Sequence, residues 1–255
     1  MIHFEHRGIT KQIAIVVHCY AIRRPVFASM LRAQLSSLIL HPPKTRVSVD
    51  VCCHEQDNLV LNVVREFSSR GLHVTADMAI GSHLMRRAIG RNACAKLLGK
   101  QGVDIVWHCD ADYFWHDGCL DTLASVEFPH ALVYPREASI HKSHAIGDRE
   151  LARVNPGELF EPDLSLFEPW KPPYAIGGLQ ITTGENARKG YLDGTKWTQP
   201  VPDATDFLDT KEDRAYRAAC GGSKPIDIPN LFRLRHSVSS FESAEKRLAQ
   251  TAGKS

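Results

Sequence analysis

From Gln12 to His18 the chain is almost wholly apolar, with Ile13-Ala14-Ile15-Val16-Val17 at its centre. A run of that kind suits a strand covered on both faces of a parallel sheet, since neither face meets water. The period then changes: Phe27, Met30, Leu31, Leu35, Leu38 and Ile39 recur at helical spacing, with Pro25 near the start and Pro42-Pro43 as a stop. Val47 to Cys53 predicts a second strand. Val60, Val63, Val64 and Phe67 mark one face of a second helix that stops at Gly71. A short strand over Leu72 to Thr75, a helix over about Leu84 to Leu98 ended by Gly99, and a strand over Val103 to Cys109 complete the series. Strands alternating with helices predict an α/β chain with an open, Rossmann-like, mixed but mostly parallel sheet and helices on both faces. Ligands of such sheets bind at the carboxyl ends of strands. That rule places His18-Cys19-Tyr20, Cys53-His54-Glu55 and Asp110-Ala111-Asp112 on one rim.

Beyond Pro135 the pattern loosens. The segment to Pro173 has scattered aromatics, five prolines between Pro156 and Pro173 and little periodicity, and it reads as long loops. Regular pattern resumes at Tyr174 to Thr182, followed by a helix-like turn from Glu185, a loop around Trp197 to Asp206 and a helix from about Thr210 to Cys220 closed by Gly221-Gly222. The polar end after Glu242 reads as a terminal helix or frayed tail.

Composition narrows this picture only a little. With 255 residues and 43% hydrophobic content the chain is long enough for one large domain, and 31 basic against 29 acidic residues give a net charge of +2 that does not select nucleic acid as a partner. The amino-terminal residues lack an apolar signal core, and no window reaches the roughly 18 to 20 apolar residues that span a bilayer, so a soluble, cytoplasmic protein is expected. Seven cysteines, odd in number and without CxxC spacing, predict reduced and mostly buried thiols.

The sharpest feature is WHCDADYFWHDG, residues 107–118, where an apolar strand ends in Asp110 and Asp112. Two carboxylates so close repel each other unless a cation or proton lies between them. A hard divalent ion, Mn²⁺ or Mg²⁺, prefers oxygen ligands and would leave positions open for the oxygens of a diphosphate. A capped turn with a solvated second aspartate gives the same pattern. A second acidic pair, Glu212-Asp213, opens the helix KEDRAYRAACGG, where a carboxylate could take a proton from a hydroxyl acceptor, or could simply be favoured by the helix dipole.

In order, IAIVVHCYAIRRP, GRNACAKLLG, VDIVWHCDADYFWHDGCL, YAIGGLQITTGENARKGYL and KEDRAYRAACGG resemble the motifs of glycosyltransferase family two, whose members have the GT-A fold. The resemblance covers roughly residues 12 to 222. It implies one GT-A domain over 1–255, with a nucleotide-sugar-binding half (12–135), an acceptor-binding and catalytic-base half (136–240) and a polar tail (241–255). It implies a metal-dependent, inverting transfer of a sugar, most simply from a UDP-sugar, to a hydroxyl acceptor, with Asp213 as base. Tyr20 would lie against the nucleotide base with His18 beside it, Arg91 and Asn92 would approach ribose or phosphates, and Asp110 and Asp112 would hold ribose and metal. His236 in LFRLRHSVSS is the candidate for a C-terminal metal histidine. Gly177 and Gly178 would let the backbone approach sugar or acceptor, as residues without a side chain can. Glu212 and Trp197, with Trp170 and the segment 135–173, are the acceptor-side candidates.

Two departures stand out. The family's second strand usually ends in an aspartate that reads the uracil edge, and Cys52 stands there in this chain, with Glu55 or Asp57 as substitutes. The Pro and Asn that usually flank the first-strand tyrosine are His18 and Ala21. The competing readings are a metal-dependent nucleotidyltransferase or phosphohydrolase, which a DxD with a distant acidic pair also describes, and a non-catalytic nucleic-acid-binding protein using Arg23-Arg24 and Arg86-Arg87. No GxGxxG follows the first strand, which disfavours a dinucleotide-dependent oxidoreductase. The acceptor class, whether glycan, protein or a hydroxylated base in DNA, is not named by any motif.

Overall fold

The computed structural model describes residues 11–22, 24–79, 87–199 and 211–237. Its first half follows the apolar pattern: β1 (Gln12–His18), α1 (Val26–Leu40), β2 (Arg46–His54), α2 (Asn58–Ser69), β3 (Val74–Ala79), α3 (Arg87–Gln101) and β4 (Ile105–Asp110). The Val-Phe face of α2 is buried as its spacing requires, and Asp57 caps the helix by accepting from Val60 N–H at 3.2 Å. Several boundaries differ from expectation: β3 runs on to Ala79 instead of stopping at Thr75, and β4 spans Ile105–Asp110 rather than Val103–Cys109. β3 begins at Val74 rather than Leu72, because Leu72 is spent on the turn that closes α2, donating its N–H to Phe67 O at 3.1 Å. Helix α3 continues past Gly99 to Gln101, since a single glycine weakens a helix without ending it.

The second half is more structured than its sequence suggests. After β5 (Tyr113–Trp115), α4 (Cys119–Ser125) and β6 (Leu132–Pro135), the segment expected as long loops holds β7 (Ala138–His141), α5 (His144–Leu151) and β8 (Phe167–Trp170). Strands of four residues leave too short an alternation to read, while α5 is set by Ser143, whose hydroxyl accepts from Ile146 N–H at 3.2 Å. Then follow β9 (Gln180–Thr183), shorter than the run from Tyr174 predicts, α6 (Gly184–Ala187), α7 (Lys211–Ala219), β10 (Lys224–Ile226) and β11 (Leu231–Arg233). The tail at 241–255 lies outside the described residues.

The main sheet has seven strands in the order β10-β6-β9-β4-β1-β2-β3. β4, β1, β2 and β3 are parallel, and β9 enters antiparallel between β4 and β6. The central strands β1 and β4 are fully buried over most of their length, as their continuous apolar runs demand. A second sheet, β5-β11-β7-β8, packs aromatic side chains of its own: Phe114 stacks on Phe232 with centroids 5.1 Å apart, and Phe167 meets both edge-on. The turn at Ala111-Asp112 joins the two sheets. Six of the seven cysteines are buried, and all are free thiols. Among the described residues no helix is long and apolar enough to cross a membrane.

Candidate functional site

Asp110 is the last residue of β4 and sits in register beside His18 of β1, so the sheet itself carries the carboxylate to its carboxyl rim. Gln34 of α1 steadies that end by donating to Asp110 O at 3.0 Å. Two arginines one turn apart on α3 meet the carboxylate. Arg91 Nη2 lies 2.9 Å and Arg87 Nη1 3.2 Å from the same oxygen, Asp110 Oδ1. The same guanidinium groups reach Asp213 on α7, Arg91 Nη1 to Oδ1 at 2.9 Å and Arg87 Nη2 to Oδ2 at 3.2 Å, while Arg87 Nε is 3.4 Å from Glu212 Oε1. Tyr191 closes the cluster by donating to Asp213 Oδ1 at 3.0 Å, and Gln180 of β9 donates to the Asp213 carbonyl at 3.0 Å.

Three carboxylates against two guanidiniums leave this group one negative charge in excess if all are ionised. Burial works against the charge on Arg87 and Arg91, yet their acidic neighbours and Tyr191 outweigh it and hold both above the ordinary arginine value. Glu212 carries the strain: burial pushes its carboxyl up to about 7, with Arg87 opposing the shift and Asp213 adding to it. Its Oε2 is buried without a hydrogen-bond partner among the described residues.

Asp112 belongs to a separate cluster. It lies in the turn after β4, where Arg233 of β11 donates from Nε to Oδ2 at 2.9 Å and His236 Nε2 stands 3.7 Å from the same oxygen. Leu234 N–H donates to the Asp112 carbonyl at 2.7 Å, which ties the segment after β11 to the turn. Burial pushes the Asp112 carboxyl up, and Arg233 and His236 more than reverse it, leaving it below the usual carboxylate value. The cations expected between the two aspartates are therefore supplied in part by the chain's own arginines.

The donor chemistry of what remains suits a divalent ion. Asp112 Oδ1 is buried and has no hydrogen-bond partner among the described residues, so it is able to accept a water or an ion. Both arginine contacts to Asp110 fall on Oδ1, so its second oxygen is outside them. Carboxylate oxygens with an imidazole nitrogen are a donor set that Mn²⁺ accepts. As the side chains stand, however, ligand atoms of Asp110, Asp112 and His236 do not all come within 4.8 Å of one another.

No family model matches the sequence, and no curated protein is significantly similar to it. Solved structures are similar in fold. A mannosyltransferase, PcManGT, from Pyrobaculum calidifontis, solved with GDP-Man and Mn²⁺, is 15% identical with a TM-score of 0.50, covering 93% of this chain and 61% of its own. This chain thus spans less than two thirds of that enzyme. The galactosyltransferase LgtC, in complex with donor and acceptor sugar analogues, is 15% identical with a TM-score of 0.47, covering 83% of this chain and 72% of its own. The chain has the GT-A fold.

Within the GT-A sheet the other expected residues are scattered around these clusters. His18 and Tyr20 are buried at the end of β1. Glu55 is exposed in the turn after β2, while Asp57, its suggested substitute, is fully buried and committed to the backbone, accepting from Ala21 N–H at 2.5 Å as well as capping α2. Cys52 touches Cys94, Sγ to Sγ 3.2 Å, and Cys94 donates to Asp77 Oδ2 at 3.1 Å, so a carboxylate stands one strand over from the place where the resemblance expects one.

Arg91 and Asn92 face different ways. Neighbours on a helix point about 100° apart, and Asn92 faces the 190–193 turn, with Nδ2 3.5 Å from Asp193 Oδ1. Trp197 lies on a 3₁₀ turn, Lys196–Thr198, with Lys196 Nζ 4.8 Å from its ring, and Trp170 stands on β8 with Arg233 5.5 Å from its ring. Gly177 and Gly178 are needed for close approach, but to the chain itself. A Cβ at Gly177 would lie 2.5 Å from Asp213 Oδ2, and one at Gly178 would overlap the Tyr113 ring. Arg87, Tyr191, Gln180 and Arg233 were not singled out as site residues by the sequence. The four-residue spacing of Arg87 and Arg91 is the one signal that pointed to a shared helix face.

Proposed function

We propose that this chain is a glycosyltransferase of the family-two kind, moving a sugar from a nucleoside-diphosphate donor, most simply a UDP-sugar, to a hydroxyl acceptor with inversion. The observation that carries the reading is Asp112 Oδ1, a buried carboxylate oxygen without a partner among the described residues, two residues beyond Asp110 at the carboxyl rim of a GT-A sheet. Asp112 and Asp110 would hold Mn²⁺ or Mg²⁺, with His236 as a third ligand. The ion, when bound, supplies positive charge against the leaving diphosphate.

The chain's own residues do the rest. Arg87 and Arg91 hold Asp110 and Asp213 at a fixed separation across the site, which positions a base against a donor group without cost at the moment of reaction. Asp213 takes the acceptor proton on Oδ2, the oxygen that receives only Arg87 and faces Gly177, where a side chain would block it. Oδ1 is already committed to Arg91 and Tyr191. His18 and Tyr20, with Asp77 one strand over from the base-reading place and Glu55 at the outer edge, form the donor's nucleotide side. Glu212, Trp197 and Trp170 remain the acceptor-side proposal. The acceptor is a hydroxyl compound whose class is left to the assay.

A screen of nucleotide sugars with and without Mn²⁺ tests this reading, followed by Asp112→Ala and Asp213→Asn in the best condition. Asp112→Ala is expected to abolish metal-dependent donor binding. Asp213→Asn is expected to keep binding and lower kcat by roughly 10²–10⁴-fold. Release of pyrophosphate instead of a nucleoside diphosphate would favour nucleotidyl transfer, and unchanged transfer in both folded variants would refute the mechanism.

A further inference from the structure

A second set of metal-ligating side chains lies apart from this site. His41 follows the last turn of α1, His116 follows β5, and Glu161 lies in the segment between α5 and β8; one ligand atom from each comes within 4.8 Å of the others. The two imidazoles stack with centroids 3.5 Å apart and planes 33° apart. Asp117 reaches the Nδ1 of both, 3.2 Å from His41 and 3.6 Å from His116, while His41 Nε2 stands 3.5 Å from Glu161 Oε1.

A carboxylate on Nδ1 fixes the tautomer that leaves Nε2 bare, and it is the usual outer partner of a metal-bound histidine. A cation shared by the two imidazoles would also engage Glu161, whose Oε1 already stands 3.5 Å from His41 Nε2. The end of α1 adds the negative pole of its dipole. Phe114, Phe160, Pro162 and Leu164 wall the pocket on its apolar side, and Phe160 N–H donates to Ser36 Oγ at 3.1 Å, which brings the 160–161 segment to the helix without help from an ion.

The donor set, two imidazoles and one carboxylate with no thiolate, selects Zn²⁺ over Mg²⁺ or Ca²⁺. We propose that His41, His116 and Glu161 bind a Zn²⁺ ion, with Asp117 as the outer carboxylate, and that the ion fastens the segment around Glu161 to the end of α1. This site is independent of the one at Asp110 and Asp112, so neither reading depends on the other.

The test is calorimetric titration of the chelator-stripped full chain with ZnCl₂, comparing wild type, Glu161→Gln and His41→Ala/His116→Ala. One equivalent of Zn²⁺ present in wild type is expected to be lost in the double variant. Glu161→Gln, at an exposed position that leaves the fold intact, and Asp117→Asn are each expected to weaken that equivalent by roughly 10- to 100-fold. Co²⁺ at the site is expected to give d–d absorption without a thiolate charge-transfer band. Equal stoichiometry and affinity in wild type and Glu161→Gln, or a thiolate band that the double variant removes, would overturn the assignment.

Discussion

Asp110 ends β4 among two arginines, a second aspartate, a buried glutamate and a tyrosine hydroxyl, whereas Asp112, two residues on, meets Arg233 and His236 and keeps one buried oxygen without a partner among the described residues. The first cluster is the more connected: each of its carboxylates is held by a guanidinium and Asp213 by three donors, although Glu212 Oε2 has no partner among the described residues. The second is under-connected. An interlocked group resists movement and fixes distances, while a carboxylate with a spare oxygen has capacity to bind. On the proposed reading Asp110 is both anchor and ligand, while Asp112 brings the oxygen that the chain itself engages least.

Breaking the first cluster is expected to cost the most. Arg91 is fully buried, and Arg91→Met leaves Asp110 and Asp213 without their nearest cation, at about 3–5 kcal/mol in urea unfolding. Arg233 keeps 28% of its side chain exposed, so Arg233→Met should cost no more than about 2 kcal/mol. Equal losses would erase the distinction.

Next in size is a pH effect confined to the first cluster. The folded pKa of Glu212, about 7, is above its ordinary 4.5, chiefly through burial. The folded chain therefore favours the protonated form, and this contribution to stability is complete below about 4.5 and lost as the pH rises through about 7. The side chain is only 2% exposed, and a shift of this size is on the order of 3 kcal/mol. Unfolding free energies measured near pH 5 and near pH 8 should fall less in Glu212→Gln than in wild type; parallel slopes would assign the pH dependence elsewhere. The smallest effect is expected from Tyr191→Phe, which removes the one hydroxyl proton shared between Asp213 Oδ1 and Gln180 Oε1 and should cost about 1–2 kcal/mol, read as a lowered urea midpoint.

Much of this arrangement was legible along the chain and some was not. The βαβ series up to β4 was readable because central parallel strands need unbroken apolar runs, and the placing of Asp110 at the rim followed from it. The three-residue strands β5, β10 and β11 were not, because a period of two cannot be recognised in three positions. Arg87 enters the sequence only as half of the Arg86-Arg87 pair that a nucleic-acid-binding reading would use, yet three carboxylates converging on one rim require cations, and the helix nearest to them carries Arg87 and Arg91 at four-residue spacing. Tyr191 and Arg233 had no local signal. They enter through β9, β11 and the turns beside them, whose pairing is set by the whole sheet. The same holds for His41 and His116, which are 75 residues apart in sequence and meet only when β5 is laid against α1.

The ion pairs of both clusters also set a timetable. Arg91 binds a carboxylate 122 residues downstream, and Asp112 waits for an arginine 121 residues downstream. At roughly 5–20 residues per second of synthesis, the parallel half of the sheet leaves the ribosome about 6–24 s before those counter-charges exist. Through that interval Arg91 has only Asp110 of its two partners, and Asp112 lacks Arg233. The fully ion-paired site therefore cannot form before Asp213 and Arg233 have been made.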